Sequence, residues 1–361
     1  MDYYFVQSLA DICGRSFIAD KRPLCCMIIV NPAAGGFNIP SKYKNHIKIL
    51  GEYKQKAQVN PQRQIYKDVL INLTEDAQSA GIMTKSFIDK ASSNHIPFYL
   101  IISAGGDGTH SDIMRVLYNA PARIRSNMAV LRLPMGTGND GGDGIYLAQA
   151  LDLLINPVHI ELAPAVQLIT APGGPASAKG PFLAFNILSV GLDAYVTHMT
   201  NKMKGKMPGD SYKLWINIAT LFYDRLYNVD YLDVKAFDNK NKEILSFREK
   251  LLLMAMGASG HRSYGSQQKI LPDDRNVSCL KQTSLFRKII IKGQVSKGKH
   301  TNNPEIIMLN AHRLEFSGLH QILAQMDGET ILLQPEDFPA SMELTAPSIS
   351  LLKMGQSEPA L

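Results

Sequence analysis

One tryptophan and four cysteines are all that 361 residues contain of either type. The cysteines (Cys13, Cys25, Cys26 and Cys279) show no spacing that would serve a metal or a redox pair. Cys25 and Cys26 are neighbours in an apolar run and read as small fillers of a buried strand. This fits a reducing cytosol rather than a disulfide-stapled secreted chain. Long apolar runs are missing too. No stretch approaches the roughly 18 residues that a membrane span needs. The N-terminal stretch lacks the basic start and clean apolar core of a signal peptide. Phe5, Leu9 and Ile12 instead mark one face of a short helix there. No internal repeat or low-complexity tract appears, and a composition of 45% hydrophobic and 19% charged residues excludes disorder. Charge of one sign is in short excess. The net +6 suits anionic nucleotides or lipid headgroups, and no nucleic-acid partner is expected.

Glycine is arranged with more purpose. An apolar run, Phe98 to Ile102, leads into Ser103-Ala104-Gly105-Gly106-Asp107-Gly108-Thr109-His110-Ser111-Asp112. A helical pattern with Ile113, Val116 and Leu117 on one face follows. Glycines on a strand-to-helix turn let backbone N–H groups approach an anion, and the helix N-terminus adds partial positive charge. Asp107 would repel a phosphate there unless a divalent cation lay between them. The loop therefore points to a metal–nucleotide site. Two companion turns follow other apolar strands: Asn31-Pro32-Ala33-Ala34-Gly35-Gly36 after Cys25–Val30, and Pro134-Met135-Gly136-Thr137-Gly138-Asn139-Asp140 after Met128–Leu133. In an open parallel sheet such turns line up at the carboxyl ends of the strands, where ligands bind.

NPAAGG, GGDGT and PMGTGND in that order resemble the diacylglycerol kinase catalytic-domain family, which includes bacterial lipid kinases and the sphingosine kinases. Asn186–Val196, Gly209–Tyr212, Ile270–Val277 and Asp327-Gly328-Glu329 fall in the family's order, so the resemblance covers roughly residues 24–350. It implies an ATP- and Mg²⁺-dependent lipid kinase, with diacylglycerol converted to phosphatidic acid as the leading reaction and a sphingoid base as an alternative acceptor. ATP phosphates would lie on Asn31, Pro32, Gly35, Gly36, Gly105, Gly106, Gly108 and Thr109, with Thr74, Asp112, Gly136, Thr137, Asn139 and Asp140 around the nucleotide. Glu329 matches the family's general base and Asp327 its supporting acid; Asp107 is the rival base and the Mg²⁺ residue. Asp273 and Asp274 fall where relatives bind a structural Mg²⁺. Three departures stand out: Asp112 replaces the usual Glu, Gly141-Gly142-Asp143-Gly144 replaces an aromatic and small residues, and Arg275 replaces a Gly.

The first half alternates strands (24–30, 65–73, 98–103, 128–133) with helices (near 40–57, 75–93, 109–118, 145–155), which predicts βαβ units and a parallel sheet. Later, Leu232, Val234 and Ala236 alternate with polar residues as in a half-exposed strand. Strand-like runs follow at 248–256, 287–295 and 304–317, with a helix at 211–227. With the resemblance, the expected fold is an α/β N-terminal domain of the NAD kinase and diacylglycerol kinase type plus a β-rich C-terminal sandwich. The expected division is an N-terminal extension (1–23), a nucleotide-binding domain (24–157, with 340–361 returning to it) and a lipid-substrate domain (158–339). The enzyme would be cytoplasmic and visit the membrane surface transiently; a homodimer is left open.

Other readings compete. Gly136 to Gly141 satisfies G-x-G-x-x-G, but it follows the fourth strand rather than the first, and it leaves the Asp107 loop unexplained. A soluble-metabolite kinase of the NAD kinase type shares GGDGT, yet it needs an adjacent Asn-Glu pair, which this sequence lacks. Without the resemblance, Asp327-Gly328-Glu329 reads as a surface turn and Asp107 as a helix cap. Thr74 reads as a cap by default. Met199–Met207 reads as a solvated loop or, with Lys202, Lys204 and Lys206, a membrane-facing lip. His110, His261 and His312 read as surface or satisfied histidines.

Overall fold

The computed structural model describes residues 3–14, 22–59, 66–76, 78–136, 139–156, 158–203, 222–226, 229–264 and 268–354. Along the chain come α1 (Tyr3–Cys13), β1 (Leu24–Val30), α2 (Gly35–Asn38), α3 (Pro40–Val59), β2 (Tyr66–Leu73), α4 (Ser79–Ser93), β3 (Phe98–Gly105), α5 (Asp107–Tyr118), α6 (Ala122–Arg125), β4 (Met128–Pro134), α7 (Leu147–Ile155) and β5 (Val158–Ala163). There follow β6 (Val166–Ile169), β7 (Phe182–Ala184), β8 (Ile187–Gly191), α8 (Leu192–Met203), α9 (Tyr223–Leu226), β9 (Tyr231–Phe237), β10 (Glu243–Gly257), β11 (Arg262–Tyr264), β12 (Gln268–Leu271) and β13 (Val277–Lys281). The last elements are α10 (Leu285–Lys297), β14 (Ile306–Leu309), β15 (Arg313–Ser317), β16 (Ile322–Met326), β17 (Glu329–Leu333), β18 (Ala340–Leu344) and β19 (Ile349–Met354). The chain divides into two compact units, Met1–Ala163 with Pro347–Leu361, and Pro164–Ala346.

The first unit carries a six-stranded sheet in the order β2-β1-β3-β4-β19-β5, parallel except where β19 meets β5. β1, β3 and β4 are buried along their whole length. Helices cover both faces, which is why these strands read as unbroken apolar runs rather than alternating ones. Leu24, Cys26, Ile28 and Val30 of β1 and Phe98, Leu100 and Ile102 of β3 pack in one core with Phe5, Leu9 and Ile12 of α1 and Leu147, Leu151 and Leu154 of α7. On the opposite face Tyr99 meets Phe87 of α4, ring edge to ring face, with centroids 5.4 Å apart, a favoured aromatic geometry. Strand order 2-1-3-4 reverses direction between β1 and β3, and such a switch point opens a crevice at the carboxyl ends of those strands.

The second unit is antiparallel. Its ladder runs β17-β16-β8-β10-β9-β15-β18-β6-β7, with β13 and β14 branching from β10. β10 turns the corner: residues 243–250 pair with β9, whereas residues 251–257 pair with β8 and β13. A strand that changes partners mid-length is how two packed sheets share an edge. Val166, Leu188, Val190, Val234, Met254, Leu314, Ala324 and Met342 fill the core between the ladders.

Several expectations change. Residues 287–295 form part of helix α10, not a strand; three successive isoleucines resemble a strand run, but only Lys288 and Ile291 turn inward, at helical spacing. The 304–317 run is two strands, β14 and β15, broken at Asn310–His312. Tyr3–Cys13 is no appendage, since Phe5, Leu9 and Ile12 are fully buried in the first unit. The division between units falls at Ala163/Pro164 and Ala346/Pro347 rather than at 157/158 and 339/340, because β5 pairs with β19 in the first unit while β18 pairs with β6 and β15 in the second. Most of the 211–227 helix, Gly209–Tyr212 and Lys204–Met207 lie outside the described residues.

Candidate active site

The three glycine-bearing turns are stitched together by backbone hydrogen bonds. Asn31 N–H donates to Ala104 O (3.0 Å), Met135 N–H to Gly105 O (3.2 Å) and Gly36 N–H to Met135 O (2.7 Å). Asn31 Nδ2–H donates to Thr109 Oγ1 (2.9 Å), and Asn31 Oδ1 accepts the Ala33 N–H (2.9 Å). Asn31 thus ties the first turn to the second while shaping its own loop. Gly106 and Gly136 touch through their backbones: a Cβ on Gly136 would stand 2.8 Å from Gly106 Cα. Only glycine permits that approach. A Cβ on Gly108, by contrast, would meet nothing within 4 Å.

The start of α5 is open to a ligand. Its N-cap is Gly106 and no side chain caps it, so first-turn N–H groups lack a side-chain acceptor, as an anion site requires. Asp107 is the first helical residue, not a cap, and its Oδ1 accepts the Gly141 N–H (2.8 Å) across 34 residues. Asn139 holds φ at 62°, and its buried Oδ1 has no hydrogen-bond partner. Asp140 is half-buried beside it. Thr74 donates its N–H to Val30 O (2.9 Å) at the end of β2; α4 starts only at Ser79, so Thr74 caps nothing. Asp112 lies 3.8 Å from Arg115 on α5. Gly35 and Gly36 open α2, and Pro32 lies in the turn before it. Thr137 and Gly138 lie outside the described residues.

The unusual Gly141-Gly142-Asp143-Gly144 segment proves to be a latch. Asp143 Oδ1 accepts from Arg132 Nη2 (2.6 Å) and Nε (3.2 Å), Oδ2 accepts the Arg132 N–H (2.7 Å), and the Asp143 N–H returns to Arg132 O (2.9 Å). Both side chains are buried, at 3% and 7% exposure. The pair fastens the loop to β4 and thereby holds Gly141 against Asp107. His110 shares a hydrogen bond with Ser103 Oγ through Nδ1 (2.7 Å). It is a core histidine rather than a surface one: burial pushes its pKa down to about 4, against the opposing pull of Asp107.

In the second unit, Asp327 and Gly328 form the two-residue turn joining β16 to β17, with φ of 47° and 100°. Positive φ at both places is the type I′ hairpin geometry that Asp-Gly favours. The Asp327 carboxylate accepts the N–H groups of Phe185, Asn186 (3.1 Å) and Ile187 (3.2 Å). It therefore anchors the turn to the chain before β8. Gly328 N–H donates to Gln325 Oε1 (3.2 Å), while Gln325 Nε2–H donates to Asp193 Oδ2 (2.9 Å) and Ser189 Oγ (3.1 Å). Asn201 Nδ2–H reaches Gly328 O (2.8 Å). Glu329 opens β17 on an exposed edge of this braced hairpin. Asp193 is wholly buried, and burial raises its pKa to about 6 despite the hydrogen bonds from Ser189 and Gln325.

Asp273 and Asp274 each engage a neighbouring side chain. Asp273 is taken by Arg275 (Nε 3.1 Å) and Asp274 by His261 Nε2 (2.9 Å). Arg275 places a positive charge beside Asp273. Asp107 is a different case. Mg²⁺ commonly binds through one or two carboxylates plus substrate phosphates and water, and a carboxylate at the mouth of an uncapped helix fits that mode. Two features escaped the sequence reading, Arg132–Asp143 and Asp193–Gln325. A lone Arg in the apolar strand 128–133 was the available signal for the first, because a buried cation requires a counter-charge.

Residues 26–156 match the diacylglycerol kinase catalytic domain. Over 293 residues the chain is 24% identical to a diacylglycerol kinase of Bacillus subtilis (strain 168), covering 76% of this chain and 89% of that one. It is 20% identical over 286 residues to a diacylglycerol kinase of Staphylococcus carnosus (strain TM300), covering 74% and 85%. In three dimensions it is similar to a provisionally assigned diacylglycerol kinase from Bacillus anthracis str. Sterne, with a TM-score of 0.57 and 18% identity over 92% of this chain and 98% of the other. At that identity the likeness speaks for the fold.

Proposed function

We propose that the chain, whose residues 26–156 match the diacylglycerol kinase catalytic domain, is an ATP-dependent lipid kinase acting on diacylglycerol. The observation that carries the reading is the joining of three glycine-bearing turns around the uncapped start of α5, with Asp107 pinned among them. The Gly35 N–H and the first-turn N–H groups of α5 (Asp107, Gly108 and Thr109) bind the ATP phosphates, with Thr137, Asn139 and Asp140 toward the nucleoside. Mg²⁺ would neutralise the charge that builds on the phosphates, with Asp107 as the carboxylate that would hold it. The lipid hydroxyl oxygen bonds to the γ-phosphorus as the bond from that phosphorus to the bridging oxygen breaks. ADP departs and the hydroxyl proton passes to Glu329. Asp327 supports Glu329 by fixing the turn that carries it. The enzyme works in the cytoplasm and meets its lipid at the membrane surface.

Transfer of labelled γ-phosphate with Mg²⁺ to mixed micelles of diacylglycerol, monoacylglycerol, sphingosine or ceramide, with NAD in solution, tests this. Label on diacylglycerol, lost by at least a hundredfold in Glu329→Gln, is the expected result. Label on NAD alone, or full activity of Asp107→Ala, overturns it.

A further inference from the structure

Helix α10 buries a narrow side, Lys288 and Ile291 with Val295 partly covered, and leaves a second apolar side exposed. Lys288 Nζ pairs with Asp224. On the outward side stand Phe286, Ile289 and Ile290, at 74%, 52% and 46% exposure, followed by Gly293. The spacing i, i+3, i+4, i+7 makes one continuous apolar stripe, placed where a surface helix ordinarily carries charge. Arg287 and Lys292 flank the stripe, Lys297 ends the helix, and Lys299 lies just beyond; no acidic residue occurs from Leu285 to Lys299. Arg287 is bonded to Glu305 at 2.7 Å.

We propose that α10 is an interfacial helix that docks the second unit on an anionic lipid bilayer. Phe286, Ile289 and Ile290 enter the boundary between headgroups and acyl chains, and the basic residues lie on the phosphates. At thirteen residues and about 1.5 Å per residue the helix is about 20 Å long, enough to lie in the interface and too short to cross it. A second copy is the poorer occupant, because a two-fold contact would set the same lysine-flanked stripe against itself, with Glu305 already bonded to Arg287. The surface answers a need of the lipid-kinase reading, on which its biological meaning rests, but its test does not depend on catalysis.

Sedimentation with vesicles of phosphatidylcholine, alone or with phosphatidylglycerol, provides the test. The full chain is expected to bind the anionic vesicles at least tenfold more strongly, and less so as salt rises. Phe286→Ser/Ile289→Ser/Ile290→Ser should weaken that binding at least tenfold, and Lys292→Gln/Lys297→Gln/Lys299→Gln should abolish the anionic preference. Because a triple variant can fail to fold, Ile289→Trp gives an independent readout: its fluorescence should shift to the blue on adding anionic vesicles. Unchanged vesicle binding by the serine variant, or no shift from Trp at 289, overturns the inference. So does a dimer that the serine variant converts to monomer while vesicle binding persists. If α10 variants lose vesicle binding but no form phosphorylates lipid, the kinase reading fails and the docking helix stands.

Discussion

Replacing Asp143 by Asn leaves the shape of the loop almost unchanged and removes one charge. Arg132, 2% exposed on β4, would then be a buried cation facing a neutral amide. Breaking a buried ion pair by removing one partner costs about 3–5 kcal/mol, mostly the penalty of the stranded charge. Asparagine retains one acceptor, so the low end, about 3 kcal/mol, is expected. For a unit of this size that lowers the melting temperature by roughly 6–12 °C. A functional effect should accompany it, since the latch holds Gly141 N–H on the Asp107 carboxylate at 2.8 Å. Loss of one hydrogen bond to a charged group, about 1.5 kcal/mol, predicts about tenfold weaker Mg²⁺–ATP binding. Thermal unfolding and calorimetric titration of Asp143→Asn, Arg132→Met and the double variant Arg132→Met/Asp143→Leu would measure both. The double variant should regain most of the stability, because no charge is left buried alone. A shift of less than 2 °C in Asp143→Asn, or a double variant less stable than both singles, would refute the reasoning.

Gly136→Ala forces its Cβ to within 2.8 Å of Gly106 Cα and must push the turns after β3 and β4 apart. Overpacking of this kind costs about 1–3 kcal/mol, so nucleotide affinity should fall at least tenfold while circular dichroism stays unchanged; wild-type affinity would refute it. Asp193, with its pKa raised to about 6 by burial, binds a proton more tightly folded than unfolded. Its contribution to stability is therefore full below pH 4 and is lost as pH rises toward 6. Urea unfolding should find Asp193→Asn better placed relative to wild type at pH 7 than at pH 4.5 by about 2 kcal/mol, and an equal difference at both pH values would refute it. His110, with its pKa near 4, should stay neutral by NMR down to about pH 5; protonation near pH 6.5 would show that it is not buried as described.

Much of the first unit was legible because its signals are local. Strands that are buried on both faces must be apolar throughout, as Leu24–Val30, Phe98–Gly105 and Met128–Pro134 are. The glycine turns between them can be read one at a time. α10 was illegible for the opposite reason: Ile289, Ile290 and Ile291 satisfy strand and helix patterns alike, and its outward stripe breaks the rule by which an amphipathic helix is recognised. The hairpin at Asp327-Gly328 was readable as a turn, but its bracing was not, because Phe185, Asn186 and Ile187 lie some 140 residues away in sequence.

The sequence by itself determined the strand-turn-helix grammar, the order of the glycine-bearing motifs and the acids that accompany them. These are properties of neighbouring residues, set by backbone sterics and the spacing of apolar side chains. Only the tertiary structure decided where the carboxylates are spent. Asp143 neutralises Arg132, Asp327 collects backbone N–H groups, and Asp107 takes the Gly141 N–H. A carboxylate's role depends on the donor that reaches it, and these donors are set by the folded chain: β4 itself for Asp143, whose loop folds back onto it, the loop after β4 for Asp107, and the segment leading into β8 for Asp327.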